Sequence, residues 1–514
     1  MLTTPPAGGP VRTPLVRLAG LVCVLGLAAA CGGPGSPPDG GPSEPPPPPP
    51  SASSTPAPPG TTAYSDFDGD GVSDLVLTDS AATVDGVYAA GHAVVVPGSP
   101  DGPAPDRHQV ITQNGLKLGK AGQGGAFGAS VTSADLDADG SADLITTAGS
   151  DTVFVVWGGG SGPAGDKGLK GGARLSGRAP VAGDFDGDGY ADLVTAGRSP
   201  STATLSYGPF SRAGTPAATV PLDLTPEDDG PEPGSEGYYT ARLAAAGDVN
   251  GDGRDDLVVT WTHVYADEMP VPRATAVHRG TARGAGGVSA AYTRLKDAEG
   301  RDIYGVDTRT ADIDKDGTAD VVVGNSCEVV GEEQRADDGS RLTVVYGGRA
   351  DRGPARRPTT IDGRTPGLPG APVSTGCGFG AAATAGDIDG DGYADVAFTA
   401  PAKDGSSLVL ALRGGPKGLT TTGVQHLAAP AWALALLDMD GDGAAELVIV
   451  EEAEIRVLHG GPDGVTGTGT GADTGLGGGA GPGGGADGWP RRIGLSDVGL
   501  TPAPRDLFGL RFGR

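Results

Sequence analysis

Apolar residues in this chain come in short runs, such as LITTA and VFVVW between positions 144 and 157, each bounded by glycine or polar residues. Runs of this length, rich in β-branched residues and closed by turn formers, predict buried β-strands. A continuous 3.6-residue periodicity is hard to find along the chain, and 93 Gly and 45 Pro suit many short strands and turns. The polar phrase ahead of these runs recurs. It reads Asp-x-Asp/Asn-x-Asp-Gly-x-x-Asp/Glu and starts at Asp66, Asp135, Asp184, Asp248, Asp312, Asp387 and Asp438.

Residues 124–160 show the unit. Phe127-Gly128 opens a short strand A, the acidic phrase turns the chain, ADLITTAG is strand B, and TVFVVWGG is strand C. A less regular strand D follows near GLKGGARLSG. The other copies keep this order, with strand C ending at VVVPG, LSYGP, AVHRG, VVYGG, LALRGG and RVLHGG. Spacings between the phrases are 69, 49, 64, 64, 75 and 51 residues. Four short strands need roughly 40–50 residues, so the excess belongs to surface loops. Radial repetition protects the edges of such sheets once the ring closes. Only TTAY precedes the first phrase, so strand A of copy one is truncated; Phe508-Gly509 and Phe512-Gly513 near the C-terminus echo the repeat opening. The expectation is that this tail adds a strand where first and last copies meet.

The phrase also carries chemistry. Carboxylates at positions 1, 3, 5 and 9, with Gly at 6 for the sharp turn, form the oxygen cage that Ca²⁺ requires. The candidate ligands are Asp66, Asp68, Asp70 and Asp74; Asp135, Asp137, Asp139 and Asp143; Asp184, Asp186, Asp188 and Asp192; Asp248, Asn250, Asp252 and Asp256; Asp312, Asp314, Asp316 and Asp320; Asp387, Asp389, Asp391 and Asp395; and Asp438, Asp440, Asp442 and Glu446. Position 7, Val72 in copy one, would add its carbonyl oxygen. Asn250 removes one charge from copy four, which is expected to be the weaker site. Lys315 lies between ligands in copy five and is expected to point outward. The formal net charge is -27, and positions 1, 3, 5 and 9 of the phrases hold 27 carboxylates. The acidity is therefore largely a property of up to seven Ca²⁺ sites, and it offers no basic face to nucleic acid.

These copies resemble FG-GAP/VCBS repeats, the blades of integrin-α-type propellers. Phe-Gly stands at Phe127-Gly128 and Phe379-Gly380, with Tyr304-Gly305 and Tyr239-Thr240 in equivalent places and Thr399-Ala400-Pro401 in copy six. Copies one, three and seven lack a clear Phe-Gly. The resemblance covers about residues 62–465 and implies an all-β, seven-bladed β-propeller with Ca-binding hairpin loops, occupying 62–514.

The N-terminal region predicts export. Arg12 and Arg17 precede the apolar stretch LAGLVCVLGLAAA, which is too short for a comfortable membrane span. Leu27-Ala28-Ala29-Ala30-Cys31 resembles a bacterial lipobox, although its Leu lies one residue earlier than the usual pattern. That resemblance implies a signal peptide over 1–31 and a diacylglycerol on the sulfur of Cys31; the alternative is an ordinary secretory peptide. The Pro- and Gly-rich stretch 32–61 cannot offset its ordering entropy and predicts an extended tether. Cys327 and Cys377 form a disulfide in an export context, or stand as two separate thiols. The Gly/Thr-rich stretch 464–487 predicts a flexible insertion in the C–D turn of the last copy.

There is no GxSxG, no HExxH and no Cys/His arrangement of catalytic spacing. The six histidines are scattered; His278 and His459 read as repeat positions at the end of strand C. Trp261, His263 and Tyr265 alternate along one strand as a blade-packing face. The leading expectation is a calcium-stabilised, lipid-anchored propeller on the extracellular face of the cell membrane. It would act as a noncatalytic, monomeric binding or adhesion scaffold for a protein or a cell-envelope glycan, with the long upper loops of copies four to six as its contact surface. The alternatives are a propeller enzyme, a glycan lyase or hydrolase or an esterase-like protein, since propellers with this repeat occur in or beside such enzymes, and a calcium-holding envelope protein without a specific ligand.

Overall fold

The computed structural model describes residues 65–159, 168–226, 237–265, 271–284, 286–305, 307–325, 340–349, 356–370, 378–452, 454–466, 469–470 and 490–500. Residues 1–64, where a signal peptide with Cys31 and a tether are expected, Cys327, Cys377, most of the stretch 464–487 and the two C-terminal Phe-Gly pairs lie outside the described residues.

Seven antiparallel sheets follow one another along the chain, and the molecule is an all-β, seven-bladed propeller. Blade 1 has strands Leu75–Asp79, His92–Val96 and Gln109–Ile111. Blade 2 has Val131–Ala134, Asp143–Ala148, Thr152–Val156 and Ala173–Ser176; blade 3 has Arg178–Gly183, Asp192–Ala196, Thr202–Tyr207 and Ala218–Asp223. Blade 4 is built from Gly237–Gly247, Asp256–Tyr265, Val271–Gly280 and Val288–Arg294. Asp307–Ala311, Asp320–Asn325, Arg341–Val345 and Thr359–Ile361 form blade 5. Blade 6 comprises Ala383–Gly386, Asp395–Pro401, Ser407–Leu412 and Gln425–Ala428, and blade 7 Ala433–Leu437, Glu446–Val450, Glu454–Leu458 and Arg491–Gly494. In each full blade the strands pair in chain order, so the acidic phrase always joins the first strand to the second.

The sheets are apolar on both faces because each is sandwiched between two neighbours. Seven buried clusters result, one per junction. Leu144, Phe154 and Val156 of blade 2 meet Val76, Val95 and Ile111 of blade 1. The last junction closes the ring: Leu75, Leu77, Val94 and Val96 of blade 1 pack on Val448, Val450, Ile455 and Val457 of blade 7. Position 2 of the acidic phrase plugs these junctions from below. Phe67, Leu136, Phe185, Ile313, Ile388 and Met439 are all buried, each in the cluster shared with the next blade.

Several local expectations change. Phe127-Gly128 does not begin strand A; it forms a turn ahead of it. Phe127 and Phe379 are buried against Phe154 and Phe398, at centroid distances of 5.6 and 5.2 Å, and each fills the junction to the preceding blade. In copy four the ladder reaches into both ends of the expected B–C turn 265–273, with Gly237↔Tyr265 and His263↔Val271 paired, because aromatic and β-branched residues extend it; residues 266–270 of that turn lie outside the described residues. Trp261 packs into the junction of blades 3 and 4, as a blade-packing face requires. The C-terminal segment contributes an outer strand, not an innermost one. Arg491–Gly494 pairs with Glu454–Leu458, and Ile493, Leu495, Val498 and Leu500 enter the closing cluster. Gly469–Thr470, from the Gly/Thr-rich stretch, pairs with the outer strand of blade 6.

Candidate metal centre

In blades 2 to 7 the first strand delivers position 1 of the phrase and the second strand begins at position 9; in blade 1 the loop directly precedes the strand Leu75–Asp79. Between them the loop folds around its own carboxylates. In loop 1, Asp66 Oδ1 accepts the N–H groups of Gly69 (2.7 Å) and Asp70 (3.1 Å), and Oδ2 accepts that of Gly71 (2.8 Å). Asp70 Oδ1 accepts the N–H of Val72 (3.0 Å). Gly71 sits at φ +90, a left-handed conformation that a side chain rarely adopts.

Position 9 ties three parts of the blade together. Asp74 Oδ2 accepts the N–H of Phe67 at position 2 (3.0 Å), and Oδ1 accepts that of Gly98, just after strand C (2.9 Å). The same two bonds hold Asp143 to Leu136 and Gly158, Asp192 to Phe185 and Gly208, Asp320 to Ile313 and Gly347, and Asp395 to Ile388 and Gly414. In loop 4, Asp256 accepts Gly280 N–H, while the Asn250 amide donates to both its oxygens at 3.0 Å. Burial pushes these position-9 carboxyls up, helped by the neighbouring acids and opposed by the N–H donors. Asp74 reaches about 7, Asp143 about 8, Asp320 about 8 and Glu446 about 8.

The loops are also stitched to one another. The position-8 N–H of one blade donates to the position-1 carbonyl of the preceding blade: Ala142 to Asp66 (2.8 Å), Ala319 to Asp248 (2.8 Å), Ala445 to Asp387 (2.7 Å). A second rung runs from the turn after strand C to the position-2 carbonyl, as in Gly159 to Phe67 (3.2 Å) and Gly415 to Ile313 (3.0 Å). Both rungs cross the closing junction, from Ser73 to Asp438 and from Ser99 to Met439. All seven acidic loops therefore share one face.

Several cages bring their oxygens close together. The groups Asp66, Asp68 and Asp70, Asp135, Asp137 and Asp143, Asp184, Asp186 and Asp192, and Asp312, Asp314 and Asp316 each offer carboxylate oxygens within 4.8 Å of one another. Asp137 Oδ1 and Asp314 Oδ1 are buried without a hydrogen-bond partner. An all-oxygen, anionic donor set with orphaned buried oxygens fits a hard divalent cation of the Ca²⁺ kind. Loop 7 differs: His459 joins Asp440, Asp442 and Glu446, with Nε2 at 3.1 Å from Asp440.

The structure adds residues that sequence reading passed over. The position before the strand-C glycine is Pro97, Trp157, Tyr207, Arg279, Tyr346, Arg413 or His459. His459 occupies it and His278 does not, so the two histidines are not equivalent; His278 is one residue earlier and fully buried. Arg212, Arg283, Arg356 and Arg413 approach the acids of loops 2, 3, 5 and 6. Their offsets from the strand-C glycine vary, so no spacing marked them. Asp255 is another: its Oδ2 accepts Asp184 N–H across the blade boundary (2.8 Å). Lys315 points out of its own loop, to the Asp391 carbonyl (2.9 Å) and over the Tyr393 ring. At blade 1, beside Pro97, a cavity of about 270 Å³ opens between Asp68, Asp74, Arg107 and His108.

Two stretches of the chain match repeat-family models: residues 135–195 match an FG-GAP-like repeat, and residues 379–410 an FG-GAP repeat. The molecule is a seven-bladed propeller that carries FG-GAP repeats in these two stretches. The first stretch runs from loop 2 into blade 3, and the second carries Phe379-Gly380 and Thr399-Ala400-Pro401 of blade 6. No curated protein sequence matches this chain. Among solved structures it is similar to a rhamnogalacturonan lyase of Bacillus licheniformis (15% identity, 66% of this chain, TM-score 0.31) and spans 59% of that lyase. It is also similar to the periplasmic gluconolactonase of Pseudomonas aeruginosa (14% identity, 78% of this chain and 98% of that one, TM-score 0.40). A lectin from Burkholderia pseudomallei aligns at 14% identity over 80% of this chain and 99% of that one, with a TM-score of 0.41. Likeness at this level assigns no activity.

Proposed function

We propose that the protein is a calcium-stabilised, lipid-anchored extracellular propeller that serves as a noncatalytic binding scaffold. One observation carries this reading: the acidic residues are built into the framework. Each position-9 carboxylate of loops 1, 2, 3, 5 and 6 clamps the loop to the end of strand C, and loops of adjoining blades hydrogen-bond around the ring. Ca²⁺ in a cage would neutralise carboxylates that otherwise repel one another, so its binding free energy adds directly to folding. Positions 1, 3, 5 and 9 of each loop would hold the ion. Asn250, already donating to Asp256, leaves loop 4 the weakest. The export signal, lipobox and tether support attachment to the cell membrane by Cys31. The contact surface is assigned to the side of the ring opposite the loops, where the strands of blade 4 are longest and Tyr238 is 52% exposed.

Thermal unfolding in millimolar Ca²⁺ and in chelator tests the scaffold: the melting temperature is expected to fall by at least 5 °C when metal is stripped, and equal values would refute calcium stabilisation. The same protein, immobilised through residues 32–60 and exposed to envelope extract, is expected to retain a specific protein or glycan only in Ca²⁺.

A further inference from the structure

We propose that loops 2, 3, 5 and 6 carry their own cation, an arginine that competes with the divalent ion, so that these loops hold together without metal and bind it more weakly than their acids alone would. The inference rests on the reading of the loops as Ca²⁺ cages.

Four guanidinium groups take the same seat by different routes. Arg212, from the C–D turn of blade 3, reaches back to loop 2 and pairs with Asp137 and Asp139, the ligands at positions 3 and 5. Arg283, from the C–D turn of blade 4, pairs with Asp186 (2.8 Å) and Asp188 (3.1 Å) of loop 3. Arg356 lies in the C–D turn of blade 5 itself and bonds to Asp314 of its own loop (2.9 Å). Arg413 is the residue before the strand-C glycine of blade 6 and pairs with Asp389.

Each seat is built. Arg212 lies 5.9 Å from the Trp157 ring, Arg283 4.7 Å from Tyr207 and Arg356 5.3 Å from Tyr346, and these three rings occupy one repeat position. Every one of the four also donates to a turn carbonyl: Arg212 to Gly158, Arg283 to Gly208, Arg356 to Pro416 and Arg413 to Pro462. In blade 6, which has no aromatic there, the arginine replaces the ring in the sequence. The position-3 carboxylates facing these cations are almost fully buried, with side-chain exposures of 1–7%. A buried carboxylate without a counter-charge is costly, and a charge-assisted bond to guanidinium meets that need. A divalent ion seated on the same oxygens would meet a positive charge within a few ångströms and must displace it. Arg212 and Arg283 reach across blade boundaries, so in the metal-free state they join adjacent blades as well.

The test is a terbium-luminescence and calorimetric Ca²⁺ titration of the full chain and of its Arg212→Gln, Arg283→Gln and Arg356→Gln variants, with melting followed in chelator. The arginines are 35–50% exposed, so glutamine is tolerated sterically. Each variant is expected to bind one ion at least tenfold more tightly than the parent, to melt lower in chelator, and to gain more melting temperature from Ca²⁺. Parent and variants binding metal with identical stoichiometry and affinity would overturn the inference and leave the calcium reading standing. No metal uptake by any of them would overturn both. Should Arg212→Gln fail to fold, Arg356→Gln, whose carboxylate partner Asp314 lies in its own blade, reads the same competition.

Discussion

At the scale of single residues, position 9 decides most. Its carboxylate is buried, accepts N–H groups from two other parts of the blade, and has its pKa raised, to about 8 in Asp143 and Asp320. A carboxyl whose pKa is higher folded than unfolded binds more protons in the native state between those two values. Stability from that source is fully present below the unfolded pKa, near 4, and is lost as pH rises through the folded value. Asp74, Asp192 and Asp395 at about 7 and Glu446 at about 8 act in the same direction. In chelator the protein is therefore expected to melt at a higher temperature at pH 5 than at pH 8. Ca²⁺ stabilises the ionised form, so saturating metal should flatten or reverse that trend. Urea unfolding at both pH values, with and without metal, checks the sign. The acid pattern was legible because side chains at fixed offsets leave a mark in one dimension. The cations facing it were not, because Arg212 and Asp137 meet only after two blades have packed.

At the scale of the element, the hairpin and the strand-C glycine form a single unit. A Cβ on Gly158 would meet the Ala142 carbonyl oxygen at 2.2 Å, and one on Gly414 would meet that of Ala394 at the same distance. Both partners are at position 8 of a loop, which is why a glycine closes strand C in every copy. Gly158→Ala is expected to cost about 1–3 kcal/mol through forced backbone displacement, measured by chemical denaturation, with Gly415→Ala as the control, in open space and outside the left-handed region. The Gly-Gly endings were visible as punctuation; their role needed the loop beside them. Phe127 shows the same limit. The Phe-Gly pair was legible as the start of a repeat, yet its ring serves the junction with the preceding blade and its glycine a turn before the strand. Local pattern marks where chain direction changes, and packing decides which neighbour a side chain faces.

At the scale of the whole molecule, closure is the controlling event. Blade 1 has three strands among the described residues, and it is held to blade 7 by the closing cluster and by the two loop rungs, Ser73 to Asp438 and Ser99 to Met439. Ile493, Leu495, Val498 and Leu500 are at most 2% exposed in that cluster. Burying a large aliphatic side chain contributes about 1.5–3 kcal/mol, so four of them are worth a sum comparable to the roughly 5–15 kcal/mol of a typical domain. Deleting 489–514 also bares the edge of Glu454–Leu458. The truncated chain is expected to aggregate or to lose its cooperative melting transition, as read by scattering and calorimetry; an unchanged transition would remove the closing role of this segment.

Sequence alone determined the number of repeats, the all-β class and the acidic loop in each, because a hairpin's turn chemistry and strand alternation are local properties written at constant spacing. It left open which strand the C-terminal segment would become and which residues would meet the acids. Those were decided by the tertiary structure, since ring closure brings together Ser73 with Asp438 and the packing of neighbouring blades brings Arg283 to Asp186. Contacts between blades depend on insertions of unequal length, and no fixed interval along the chain records them.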